Sequence, residues 1–284
     1  MDPNTSRAKY RRLDVFRAML KLGDCEFSEG MNRFKQAIQG LEEMRLSFPP
    51  EWKQPIKLDA ETSKDMVRIA ERMRQVPAEM AELSVELAKR GWYLWMDMPF
   101  KFLYAVRRAL REKRLDLVDE ALIGYFKKEN RRIESIILQD FPNRAAILKP
   151  AFRAHRKRGY ALSVPVFLSQ ADGICAELLG VGFYSRKKGS PRTAVAAERF
   201  TGSDLTSSLL EPLRVSGALN AFENERHQYP DVLNRHEVLH GKAVDYATPV
   251  NGFRTFSLLA YVGSALVTAK EYQEFQDERN RIGN

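Results

Sequence analysis

Apolar side chains recur every three or four residues through most of this 284-residue chain, and no stretch alternates convincingly at period two. Spacing of three to four puts those side chains on one face of a helix, whereas a half-buried strand needs alternation. The pattern predicts an all-α helical bundle. Leu13, Phe16 and Leu20 mark a first helix over 6–22, and Met31, Phe34, Ile38, Leu41 and Met44 a second over 28–46. A Pro-rich loop, 48–55, follows. Met66, Ile69, Met73, Met80, Leu83 and Leu87 share a stripe over 59–90, where Pro77 is expected to break or kink the helix. Further helices are expected over 100–111, 115–139, 143–158, 165–179, 205–211, 213–225 and 253–281. Phe141-Pro142 is the best internal boundary. It divides a helical N-terminal region, 1–141, from a helical domain, 142–284.

Two stretches invite more than one reading. Gly91 to Pro99 carries Trp92, Tyr93 and Trp95. Such rings can stack on bases or plug a core, and the apolar pattern that continues through Phe100, Phe102 and Tyr104 favours the core. Ser185 to Arg192 concentrates Arg186, Lys187, Lys188 and Arg192 in a loop that either grips phosphate or is simply solvated. Asp172 falls in an otherwise apolar helix. A carboxylate there either faces solvent or supports a site cation.

The chemistry concentrates in Asn234-Arg235-His236-Glu237-Val238-Leu239-His240-Gly241, which holds two of the four histidines. Pro230 suits a helix start and Gly241 a helix stop, so a helix of about three turns ending at His240 is expected. Two patterns overlap on it. His236, Glu237 and His240 have the spacing of a zinc-metallopeptidase helix, with both imidazoles on one face and a glutamate as base. Against that reading, no third ligand motif follows, and no sheet edge is expected to bind a peptide.

The other pattern is Arg235-His236-x-x-x-His240, and it resembles the HEPN superfamily (higher eukaryotes and prokaryotes nucleotide-binding). That superfamily is all-helical, carries its motif near a helix end, and commonly has a glycine after the last histidine. The resemblance spans roughly 143–284, through Leu233 to Lys242, Asp245-Tyr246 and the apolar helix beyond. It implies a metal-independent endoribonuclease that leaves 2′,3′-cyclic phosphate ends. Arg235 would hold the scissile phosphate, His240 would act as general acid or base, and His236 would orient the phosphate or share the proton. Asn234, Lys242, Arg186, Lys187 and Lys188 would contact substrate. Asp172 would stand behind the site. The resemblance further implies RNA as partner, a toxin or antiphage role, and a composite site in a homodimer. A helical module that binds nucleic acid without cutting it is a third reading.

A net charge of +9 agrees with a polyanionic partner. Cys25 and Cys175 include no CxxC pair, no apolar leader precedes Phe16, and the apolar run Phe256–Val267 is too short to span a bilayer. A cytoplasmic protein with no membrane contact and no required cofactor is therefore expected, with zinc as the alternative.

Overall fold

A computed structural model describes residues 60–187, 189–198 and 204–282. The helices expected over 6–22 and 28–46, and the loop 48–55, lie outside the described residues. The fold is all-α. In chain order it runs α1 (Ala60–Ala88), α2 (Phe100–Arg111), α3 (Leu115–Asp140), α4 (Ala145–Arg156), α5 (Tyr160–Leu179), β1 (Arg186–Lys187), β2 (Ser190–Pro191), α6 (Arg192–Ala197), α7 (Asp204–Leu209), α8 (Arg235–Leu239) and α9 (Pro249–Ile282). Short 3-10 turns fill Pro142–Arg144, Glu211–Leu213, Ala218–Asn220 and Glu223–Gln228.

The axis of the bundle is α9. Pro249 occupies its first turn, where no N–H is missed, and the Thr248 hydroxyl accepts the Asn251 N–H at 3.2 Å. From Phe253 to Leu266 every residue is buried, so this helix is apolar on all sides because it is covered on all sides. It packs against α5 and α3, while α4 packs on α5 and α1 packs on α7. The buried hydroxyls of Thr255, Ser257, Tyr261 and Ser264 are satisfied. The Ser257 hydroxyl donates to the Arg254 carbonyl at 2.7 Å and accepts the Tyr93 N–H at 3.1 Å. Tyr261 donates to the Leu209 carbonyl at 2.9 Å.

The aromatic connector is core. Trp92, Tyr93, Leu94 and Trp95 are buried, and Tyr93 lies between the rings of Phe183 and Tyr261. Phe141 is buried too, and one continuous core takes side chains from both sides of the turn at Pro142.

Pro77 sits inside α1 without ending it, and Pro165 lies inside α5, which begins at Tyr160. A helix proline orphans the carbonyl four residues before it. For Pro165 that carbonyl belongs to Ala161, and the Tyr246 hydroxyl donates to it at 3.0 Å. The earlier start makes α5 20 residues long, and by length and composition it is apolar enough to cross a membrane. In this fold Phe167, Leu168, Ala171 and Ile174 are fully buried along it. The expected helix over 213–225 is instead a loop with 3-10 turns, because Asn220 turns back to accept the Gly217 N–H at 2.6 Å.

Between α4, α5 and α9 lies His155, 2% exposed. Its ring stacks on Phe256 at 5.1 Å, contacts Phe253, Tyr160 and Phe167, and has Nδ1 3.4 Å from the Ser163 hydroxyl. Burial, with a smaller contribution from the Arg156 charge, pushes its pKa down to about 4. The native state therefore refuses a proton that the unfolded chain takes up near pH 6.5. Stability from this site is complete above that pH and is lost as pH falls through the window down to about 4, at up to about 1.4 kcal/mol per pH unit. Thermal melts of wild type and His155→Gln between pH 7 and pH 4 check this. The variant is expected to show a shallower pH slope, and equal slopes would refute the assignment.

Candidate functional site

Helix α8 is only five residues long and is defined by its two caps. At its start the buried Asn234 side chain accepts the N–H groups of His236 at 2.8 Å and Glu237 at 3.3 Å. That cap, rather than Pro230, begins the helix. The preceding segment is occupied elsewhere, since Arg254 donates to the Asp231 carbonyl at 3.0 Å. At its end Gly241 is left-handed, with φ +70°. Lys242 N–H donates to the Glu237 carbonyl at 2.8 Å and Gly241 N–H to that of Val238 at 3.2 Å. These two bonds form a Schellman closure, which places His240 at the last position before the chain turns away.

Arg235 turns inward. Its guanidinium lies 4.3 Å over the Tyr184 ring and 6.0 Å from that of Phe222. Tyr184 is itself fixed at both ends. Its hydroxyl donates to the Leu168 carbonyl at 3.1 Å, and its N–H donates to the Asp172 carboxylate at 3.0 Å. Asp172 is thus a half-buried support on α5 that holds the platform under Arg235. Burial lowers the Arg235 pKa, Tyr184 and Asp172 oppose that, and Arg186 adds to it. No hydrogen bond or ion pair within the described residues engages this guanidinium. Two other arginine side chains differ. Arg186 is held by Glu225 at 2.7 and 2.8 Å, and Arg254 by Asp119 at 3.4 Å.

His236 and His240 meet edge to face, with ring centroids 4.2 Å apart, and His240 is exposed. Glu237 points to Arg226, with Oε2 3.5 Å from Nε. Among the described residues no three His, Cys, Asp or Glu side chains gather as a metal site.

The remaining expected contacts separate. Lys242 and Lys187 are exposed, and Lys188 lies outside the described residues. The Arg186 side chain is only 3% exposed, stacks on Phe222 at 4.8 Å, and sits in a short hairpin in which Arg186 pairs with Pro191. No periodicity or motif singled out Tyr184 and Phe222, the rings beside Arg235, or Glu225, the partner of Arg186. No protein-family model, curated protein or solved structure matches this chain.

Proposed function

We propose that this protein is a metal-independent endoribonuclease of HEPN type, working as a cytoplasmic homodimer in a toxin or antiphage role. The observation that carries the reading is the Arg235 guanidinium. It is half-buried and held over the Tyr184 ring, and among the described residues no hydrogen bond or ion pair engages it, Asp172 acting on it only through its field. A buried charge without a partner is costly. Such a group is set up to receive an anion from outside, and a phosphodiester offers the two oxygens that its fork fits.

The histidine pair supplies the proton chemistry. One imidazole takes the proton of the RNA 2′-OH as the 2′-oxygen forms its bond to phosphorus. The phosphorus–O5′ bond breaks, and a proton returns to the departing oxygen. His240 is exposed where that proton must be exchanged, and His236 shares it or orients the phosphate. Arg235 stabilises the charge that builds on the phosphorane oxygens. Lys242 and Lys187 meet neighbouring phosphates, and Asp172 acts only through Tyr184. Arg186 keeps Glu225 and braces Phe222.

Purified protein and end-labelled RNA in EDTA test this. Cleavage is expected to persist in EDTA, to leave cyclic phosphate ends, and to fall by about 10²-fold or more in His240→Ala. Activity that disappears in EDTA and returns with zinc would overturn the reading in favour of the His236-Glu237-x-x-His240 alternative. RNA binding without any cleavage would overturn it in favour of a binding module.

A further inference from the structure

From Phe141 to Ala171 the chain contains no Asp or Glu, yet it carries Arg144, Lys149, Arg153, Arg156, Lys157 and Arg158. The fold sorts these cations into two groups. Arg144 bonds Glu177 on α5, and Arg156 pairs with Glu134 on α3. Lys149, Arg153, Lys157 and Arg158 are exposed and make no ion pair among the described residues.

The Arg156–Glu134 pair also fixes how α3 meets α4. Lys127, Arg131 and Glu134 have the i, i+4, i+7 spacing of a single helix stripe, so the two exposed cations run along the α4 side of α3. The turn at Pro142–Arg144 leads α3 directly into α4, and the two helices touch. On α3, Arg131 and Lys127 lie one and two turns before Glu134 on that stripe, and Lys157 and Arg158 directly follow Arg156 at the end of α4. Among the described residues Lys127, Arg131, Lys157 and Arg158 make no ion pair and lie around the Arg156–Glu134 contact, with Arg153 one turn back on α4.

That end adjoins the motif. Just past Arg158, Tyr160 packs against Gly252, and the Ala161 carbonyl receives the Tyr246 hydroxyl. Tyr246 belongs to the segment that leaves α8, which carries the exposed Lys242, and Gly252 to the first turn of α9 that this segment enters. Like charges set side by side without counter-charges repel one another, and a polyanion relieves several at once.

We propose that this α3–α4 face is a binding surface for the sugar–phosphate backbone of single-stranded RNA, leading to Lys242 and the motif helix. The choice of RNA over an anionic bilayer rests on the nuclease reading; the charge cluster does not. The surface acts on affinity and leaves the chemistry at Arg235 and His240 untouched.

The test is fluorescence anisotropy with a labelled single-stranded RNA and full-length protein carrying His240→Ala, so that the RNA stays intact. One variant adds Lys127→Gln, Arg131→Gln, Arg153→Gln and Lys157→Gln. A control removes as many charges from the α2–α3 junction, through Arg108→Gln, Arg111→Gln, Lys113→Gln and Arg114→Gln. Circular dichroism confirms that both fold. The first variant is expected to bind at least about tenfold more weakly, and its log K against log salt slope is expected to be shallower by about three. The control is expected to match the parent. Equal losses in both variants, or none in the first, would overturn the proposal. So would unchanged RNA binding with reduced binding to phosphatidylserine vesicles. Cleavage assays with His240 intact separate the two claims. Surface-dependent binding without cleavage sinks the nuclease reading and keeps this surface, whereas cleavage with unaltered binding does the reverse.

Discussion

Arg235→Lys is expected to cut RNA cleavage by about 10²- to 10³-fold in kcat, equivalent to about 3–4 kcal/mol of transition-state stabilisation. The substitution keeps the charge, so it isolates geometry. A guanidinium is flat and presents paired donors, and here it lies 4.3 Å over the Tyr184 ring. An ammonium offers a point charge without a fork and cannot stack in the same plane. Steady-state cleavage of a short labelled RNA by wild type, Arg235→Lys and Arg235→Ala gives the comparison. A lysine variant with wild-type kcat would remove Arg235 from the phosphate. The same series addresses the dimer. Five residues apart, Arg235 and His240 diverge by roughly 140° on a helix, and α8 places Arg235 against Tyr184 while His240 is exposed. A site composed across two protomers would need Arg235 from one and His240 from the other. Mixing Arg235→Ala with His240→Ala protein is then expected to restore cleavage, and a mixture as dead as its components would eliminate the composite site.

The parts of this molecule that were legible in the sequence are those where local and global demands agree. Helix α2 runs from Phe100 to Arg111 as its spacing predicts, since Phe100, Leu103 and Val106 all face the core and Pro99 precedes the first turn. The stop at Gly241 was legible for the same kind of reason: a left-handed position after a helix favours glycine. The start of α8 was misplaced because Pro230 looks like an opening residue. A distant arginine, Arg254, instead holds the Asp231 carbonyl, and Asn234 has the better side chain for capping. Pro165 suggested a boundary because the hydroxyl that repairs its helix, that of Tyr246, comes from far along the chain. The expected helix over 213–225 failed where Gly217 lies against the backbone of Ala88 and leaves no room for a helical turn with a side chain. The candidate site divides along the same line. Arg235, His236 and His240 are a local motif and could be read. The ring under Arg235, the carboxylate holding that ring, and the glutamate that occupies Arg186 are tertiary facts.

Phe256→Ala is expected to destabilise the fold by about 3–5 kcal/mol, which for a chain of this size lowers Tm on the order of 10 °C. Phe256 is fully buried on α9, and its ring meets Phe126 on α3 at 5.8 Å, Phe152 on α4 at 6.0 Å and Phe167 on α5 at 5.7 Å. One side chain thus joins four helices, and the faces around it cannot all collapse into the space it would leave. Phe256→Leu retains most of the volume and is expected to cost far less, under about 1.5 kcal/mol. Urea unfolding followed by circular dichroism measures both. A loss below about 1 kcal/mol for the alanine variant would show that the ring is not the centre of the bundle. The loss bears on the motif as well. Two residues earlier on α9, Arg254 reaches Asp231 in the segment that leads into the Asn234 cap, and it also meets Asp119 of α3 at 3.4 Å. Loosening the contact between α3 and α9 releases both ends of that tie. The alanine variant is therefore expected to lose RNA cleavage at temperatures where its far-ultraviolet signal is still native, because the short capped helix depends on packing made at Phe256.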